Sequence, residues 1–415
     1  MGCCDTPGLM SLQQALDKMQ ETVENVCQAV SLPLSQALGY ALAEDIKSPL
    51  NVPPFNNSAM DGYALKRADL VNCSADTPIT LQQVGRSFAG APYQGDLNSG
   101  ECIRIMTGAV MPSCADTVVM QERTTAKEAL IRFTQCPKPG DNVRMAGEDL
   151  KLGQNVLSKG HKLTPRDIPL IASLGLANIL VFRKLKVAVI SSGDELKSLG
   201  EPLAQGEIYD SNRYSIIALL SRLNVEVIDF GIIKDDKNKI REAFIAADRQ
   251  ADVVISSGGV SVGEADFIKD ILTELGSIGF WKLAIKPGKP FAFGKLSDSV
   301  FFGLPGNPVS AMVTLYQLAV PAIATLSGFN PQPVVRFNAI ATENLKKGPG
   351  RTDFQRGIYS VNEDGQLIVQ LTGRQGSGVF SSMSQSNCFI VLEQDRGNVE
   401  AGETVTIEPY NALMD

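Results

Sequence analysis

One histidine, His161, occurs in 415 residues. It follows Lys159-Gly160 in a polar turn and reads as a solvated surface residue. Chemistry must therefore rest on carboxylates, lysines, hydroxyls, backbone amides or a metal held by oxygens. The strongest signal is the run from Ala251 to Asp266, with sequence ADVVISSGGVSVGEAD. An apolar strand leads into Gly258-Gly259 and then Gly263, with a helix to follow. Glycines at a strand end let backbone amides approach an anion, and a helix N-terminus adds partial positive charge. The hydroxyls of Ser257 and Ser261 can reach the same anion. The run is neither the Gly-x-Gly-x-x-Gly pattern nor a Walker P-loop. Asp266 opens the helix, where a plain N-cap is the competing reading.

Lys286-Pro287-Gly288-Lys289-Pro290 sets two lysines three apart across a stiffened turn, with Lys282 four residues earlier. Clustered ammonium groups in an acidic chain point to a phosphate or oxyanion pocket, although a solvated basic turn gives the same pattern. In Gly303-Leu-Pro-Gly-Asn-Pro308, Asn307 is placed to cap a helix whose first residue is Pro308. Gly306 then makes this turn a rim of the same cleft. Four further acids stand on turns: Asp61, Asp149, Glu195 and Asp235. Acids on turns are usually solvated. Glu195 and Asp266, however, both follow parallel strands and converge on one edge. Two carboxylates beside a phosphate suit octahedral Mg²⁺.

The net charge is −7, with 44% hydrophobic and 20% charged residues. That balance suits a globular chain and argues against nucleic acid as a partner. Eight cysteines are scattered without a Cys-x-x-Cys pair, which fits reduced thiols in a cytoplasm rather than a zinc site. No uninterrupted apolar stretch reaches the roughly 18 residues of a membrane span. Met1 to Thr6 matches a myristoylation pattern that a frayed terminus satisfies equally.

The elements that must position these groups follow from periodicity. Residues 12–46 read as helical, from Leu12, Ala15, Leu16, Met19 and Val23. Residues 55–150 read as short strands, at 78–84, 101–106, 117–121 and 130–134. A second helix spans 164–174, with Thr164 as cap and Pro165 first. From 185 to 326 strands (186–191, 225–231, 252–257, 300–303) alternate with helices (212–223, 237–248, 266–275, 307–326). Alternation implies a parallel sheet with helices on both faces and ligands at the strands' carboxyl ends. Residues 330–415 read as strands at 334–339, 365–371, 388–392 and 403–408. The expected fold is multidomain α/β. A central doubly wound α/β domain with a mostly parallel sheet covers 185–328. A β-rich domain (49–149) is inserted into an N-terminal helical or linking domain (1–48 with 150–184). A small C-terminal β-barrel or sandwich covers 329–415.

Together, Pro49 with Phe55-Asn-Asn-Ser-Ala-Met-Asp-Gly-Tyr-Ala64, Arg104-Ile-Met-Thr-Gly-Ala109, and the three segments above closely resemble the bacterial molybdopterin molybdenumtransferases. This is the MoeA family, related to the C-terminal domain of gephyrin. The resemblance covers essentially the whole chain. It implies an elongated cytoplasmic homodimer of four-domain subunits with a site shared between subunits, which leaves open whether Asp61 and Asp149 serve their own cleft or the partner's. It implies Mg²⁺-dependent insertion of molybdate into adenylylated molybdopterin, with AMP leaving. By the same resemblance, Asp61, Thr107, Asp149, Glu195, Asp235 and Asp266 form the functional polar set. Lys282, Lys286 and Lys289 bind anions, Pro305 and Pro308 line the cleft, and Arg356 and Ser377 contribute from the C-terminal domain. Lys286, Lys289 and Arg356 are then candidates for a second, molybdate pocket. Contacts with a molybdopterin adenylyltransferase and with molybdoenzyme-maturation proteins also follow from it. Asn56 departs from the family's frequent Asp, and Met145-Ala146 stands where relatives can be arginine-rich. Both bear on the charge near Asp149. Two rivals remain open at this level: the adenylyltransferase itself, against which the N-terminal region argues, and a gephyrin-like scaffold.

Overall fold

The computed structural model describes residues 8–258, 267–330, 332–410 and 414. The chain divides into two units. Met1–Ala43, Gly160–Thr164 and Ile179–Asp415 form one, and Glu44–Lys159 with Pro165–Asn178 the other. The myristoylation pattern at Met1 to Thr6 lies outside the described residues.

The first unit contains a six-stranded sheet. Its strands are β1 (Leu185–Ser192), β2 (Val225–Ile233), β3 (Val253–Ser257), β4 (Ser277–Lys282), β5 (Pro290–Lys295) and β6 (Val300–Leu304), in the order β2-β1-β3-β6-β5-β4. The β1–β2, β1–β3 and β3–β6 pairs are parallel, as alternation with helices requires. The β4–β5 hairpin adds an antiparallel edge that periodicity did not reveal. Side chains alternate faces along each strand. Val187, Val189, Val253, Ile255 and Phe302 share one core with Ile216 and Leu220 of α1 (Ser211–Ser221). Ala188, Ile190, Val254 and Phe301 share another with Phe244 of α2 (Lys237–Gln250) and Ile271 of α3 (Phe267–Leu275). The sheet is thus wound on both faces.

After β6 a helix runs from Pro308 to Leu326 through a π turn at Leu315–Ala319. Pro321 has no N–H to return to Gln317, and the Val320 N–H reaches back to the Leu315 carbonyl instead. Among the described residues this is the one helix long and apolar enough to cross a membrane, but 78% of that window is buried inside the protein. It forms the first core's wall.

The N-terminal reading needs correction. A helix spans only Leu12–Gln20, opened by a Ser11–Gln14 capping box. The chain then turns extended at Ala29–Pro33. β-Branched Thr22, Val23, Val26 and Val30, then Pro33 and Gly39 at φ +84°, do not continue a helix. The second helix starts later than expected, at Asp167, with Arg166 rather than Thr164 at the cap position.

Beyond residue 336 five strands close into a barrel: Phe337–Ala341, Thr352–Val361, Leu367–Leu371, Cys388–Leu392 and Thr404–Pro409. Pairing of Thr352–Val361 with Cys388–Leu392 completes the closure. This longest strand was not read from sequence. Ile285–Lys286 lies parallel to its start, at Thr352–Asp353. Gln317 of the long helix donates to the buried Glu408 of the barrel at 2.7 Å.

In the second unit a six-stranded sheet runs Thr117–Met120, Gly62–Leu65, Glu101–Ile105, Ile79–Ser87, Leu130–Phe133, Thr124–Lys127. Gly62–Leu65 and Glu101–Ile105 are antiparallel with Gly62 opposite Ile105. That register brings Asp61 and Thr107 to the same end.

Candidate functional site

Ser257 ends β3 and is almost fully buried. Its Oγ accepts from the Asn212 side-chain amide at 2.9 Å, and the same amide donates to the Gly306 carbonyl at 2.8 Å. Gly258 adopts φ +93°, where an added Cβ would lie 3.1 Å from the Ser192 carbonyl. A non-glycine residue there would carry strain of roughly 1–2 kcal/mol. The Gly258 N–H is committed to the Leu304 carbonyl at 3.2 Å, so this amide is not free for an anion as the sequence suggested. Gly259, Ser261, Gly263 and Asp266 lie outside the described residues. The hydroxyls of Ser191 and Ser256, at the ends of β1 and β3, are buried with no partner among the described residues.

The turn after β6 joins this edge. Pro305 is buried, and Pro308 occupies the first helical turn. Asn307 stands at the cap position but its side chain makes no capping bond. The Val309 N–H is met instead by the Ser377 carbonyl, at 3.1 Å, from a loop of the barrel. Arg356 holds that loop. It is wholly buried, and its guanidinium donates to Ser382 Oγ at 3.1 Å and to the carbonyls of Phe354 (3.2 Å) and Gly376 (3.3 Å). Burial pushes its pKa down from the usual value. Arg356 therefore braces Gly376-Ser377 from within.

The lysine turn packs on the same helix. Gly288, at φ +111°, lies so close that an added Cβ would be 2.7 Å from Thr314 Cγ2. Lys282 and Lys289 are exposed. Lys286 is not a free cation: its Nζ donates to Asp353 Oδ2 at 3.1 Å. Asp353 is buried and also accepts from Gln355 Nε2 at 3.1 Å. Nearby, the buried Lys347 ammonium donates to the carbonyls of Gly348, Gln394 and Arg396 at 2.9–3.2 Å.

The acids separate into two sets. Glu195 is exposed and folds back over Gly193, where a Cβ would lie 2.4 Å from its Oε2. Its neighbour Asp194 accepts from the Asp235 N–H at 3.2 Å, which ties the turn after β1 to the turn after β2. Glu195 and Asp235 thus share the sheet's carboxyl end. In the second unit, Asp61 Oδ1 accepts from both the N–H and the Oγ1 of Thr107 at 2.7 Å. The Thr107 backbone and hydroxyl bonds, with Arg104 adding a smaller attraction, hold its pKa below the ordinary 3.8. Asp149 is exposed, and its N–H donates to the Val52 carbonyl at 3.0 Å. No group of three or more His, Cys, Asp or Glu side chains gathers as a metal cage among the described residues.

Sequence reasoning missed Asn212, Asp194, Asp353 and Lys347. Asn212 stands two residues after the Asp210 cap, a position that gives no outward sign of its partners. Asp353 lies in the segment Asp353-Phe-Gln-Arg-Gly357, where the resemblance pointed to Arg356 alone.

Three family models match in succession: the MoeA N-terminal region (domain I and II) over residues 10–175, a probable molybdopterin binding domain over 188–325, and the MoeA C-terminal region (domain IV) over 338–410. A molybdopterin molybdenumtransferase of Haemophilus influenzae is 54% identical over 408 residues, spanning 98% of this chain and 100% of that protein. One from Nostoc sp. is 34% identical, spanning 96% and 91%. The solved molybdopterin biosynthesis MoeA protein of Pyrococcus horikoshii OT3 matches with a TM-score of 0.85 at 29% identity, covering 97% of this chain and 100% of that one. With this sheet edge, helix and barrel loop in one chain, the protein belongs to the molybdopterin molybdenumtransferases, a family of transferases in molybdenum cofactor biosynthesis.

Proposed function

We propose that the chain inserts molybdate into adenylylated molybdopterin in a magnesium-dependent reaction that releases AMP. The observation that carries this reading is the Asn212 bridge. It joins Ser257 to Gly306, so two segments with anion-binding patterns share one edge. The exposed Glu195 carboxylate at that edge is a hard oxygen donor, and the residues there supply neither thiol nor imidazole. Such donors suit Mg²⁺, which takes one or two carboxylates and completes its shell with phosphate and water oxygens. Glu195 would hold it together with Asp266. When bound, magnesium neutralises charge on the phosphate oxygens.

The chain's own groups divide the rest. The Ser257 hydroxyl donates to a phosphate oxygen, and Gly259, Ser261 and Gly263 are assigned to the same anion by their sequence motif alone. Pro305 and Pro308 stiffen the rim. Lys282 and Lys289 offer exposed ammonium groups to the dianionic molybdate, with Lys286 held beside them by Asp353. Arg356 acts through the loop that carries Ser377. Asp61, Thr107, Asp149 and Asp235 complete the functional polar set. Cleaving the bond to AMP needs charge neutralisation more than covalent catalysis, which fits a site without histidine. The four domains bounded as above, a homodimer with a shared site, a cytoplasmic location and contacts with the adenylyltransferase and maturation proteins belong to the same reading.

The test is chromatographic. Purified chain is incubated with adenylylated molybdopterin and molybdate, with and without EDTA, and AMP is quantified. The reading expects AMP release that needs molybdate, stops with EDTA and returns with Mg²⁺. Pyrophosphate release from ATP and molybdopterin with no molybdate requirement would overturn it.

A further inference from the structure

We propose that Asn212 is a positioning residue that aims two hydrogen-bond donors, the Ser257 hydroxyl and the Asn307 backbone N–H, at the phosphate of the pterin substrate. The inference rests on the proposed function and adds a residue to its machinery.

Asn212 lies in the first turn of α1, and that turn is firmly fixed. The buried Asp210 accepts from the Arg213 N–H at 3.2 Å and from its Nε at 3.0 Å. Arg213 also pairs with Asp229 at 2.6 Å. Both Asn212 bonds leave from Nδ2, and the Gly306 carbonyl can only accept, which fixes the amide's orientation.

Two consequences follow. Ser257 Oγ already accepts from Asn212, so its own proton must go to another acceptor, and no described residue takes it. The Gly306–Asn307 peptide is planar and trans, so its C=O and N–H point in opposite directions. Turning the Gly306 carbonyl toward Asn212 turns the Asn307 N–H away from it. That N–H has no acceptor among the described residues, and the Asn307 side chain makes no capping bond. An added Cβ on Gly306 would meet nothing within 4 Å, so the turn borders open space. One amide thus leaves two donors on neighbouring parallel strand ends without an acceptor among the described residues, a placement that fits an anion.

Two variants test this. Asn212→Ala removes both bonds and puts a stronger helix former in α1, so folding is kept. Asn212→Asp keeps the shape but faces both oxygens with acceptors only. Molybdopterin Kd is measured by fluorescence titration, molybdate KM by turnover, and Tm by thermal scanning. The expectation is a Kd raised about tenfold in Asn212→Ala and at least as much in Asn212→Asp, from the loss of two net hydrogen bonds. Molybdate KM stays within about twofold of wild type, and Tm within about 2 °C, because the bond to Gly306 is exposed and the bond to Ser257 only part-buried. Wild-type molybdopterin affinity in either variant would overturn the inference alone. So would parallel rises in Kd and KM accompanied by a fall in Tm. A wild-type chain that does not bind molybdopterin would overturn the proposed function with it.

Discussion

Lys286→Met and Asp353→Asn remove opposite ends of one ion pair, and the structure assigns them unequal costs. At 3.1 Å and an effective dielectric near 20, the Coulomb attraction is about 5 kcal/mol. The lysine side chain is 45% exposed and the aspartate side chain 5%. Solvent screening of the lysine and desolvation of the aspartate reduce the pair's net worth to about 1–2 kcal/mol. Lys286→Met strands a buried carboxylate with Gln355 Nε2 as its remaining side-chain donor, at a cost of about 2–3 kcal/mol. Asp353→Asn leaves a half-exposed ammonium that water can solvate, at a cost of about 1 kcal/mol. The double variant should cost about 1 kcal/mol less than the sum of the two. Urea unfolding of the three proteins with a shared m-value reads these differences. Asp353→Asn as costly as Lys286→Met, or strict additivity, would refute the placement of this pair. The activity arm is separate: Asp353→Asn keeps the cation, so molybdate KM should rise less than in Lys286→Met.

Other outcomes follow from single contacts. Gly258→Ala must hold an L residue near φ +93° against the Ser192 carbonyl; it should lose about 1–2 kcal/mol of stability and raise the molybdopterin Kd. Asp61 should titrate below 3.8 by NMR, and its midpoint should rise in Thr107→Val, which removes the hydroxyl bond but keeps the backbone one. A depressed carboxylate pKa stabilises the fold above the unfolded value and loses that effect as pH falls through the folded one, so Thr107→Val should shift the acid limb of stability to higher pH. Burial raises the Cys27 thiol to about 11 and those of Cys102 and Cys388 to about 12, so these should resist maleimide at pH 8 until the protein is denatured. The partly exposed Cys114 and Cys136 should react in the native state.

How much of this was legible depends on what each segment buries. Val253–Ser257 and Val300–Leu304 are buried on both faces, so their unbroken apolar runs announced a parallel sheet. Thr352–Val361 buries Asp353, Gln355 and Arg356 between sheet and loop, so the longest strand showed no apolar alternation. Ser277–Lys282 and Pro290–Lys295 carry Gly, Pro and Lys and were assigned to no element, yet they form the sheet's antiparallel edge. In the site, glycines and prolines marked Gly258, Gly306 and Pro308 because backbone geometry selects those residue types. The links among them were hidden. Asn212 to Gly306 spans 94 positions and Val309 to Ser377 is a backbone contact, and neither leaves a local pattern. Arg356 was singled out by the resemblance alone, and its donors are turned inward, which only burial could reveal.

A crystal structure of the chain with molybdopterin and molybdate, phased at the molybdenum edge, tests the central claim most directly. The account predicts the pterin phosphate at Ser257 and the Asn307 N–H, with the molybdenum peak on the side of Lys282 and Lys289. A phosphate bound away from the carboxyl ends of β3 and β6 would contradict it.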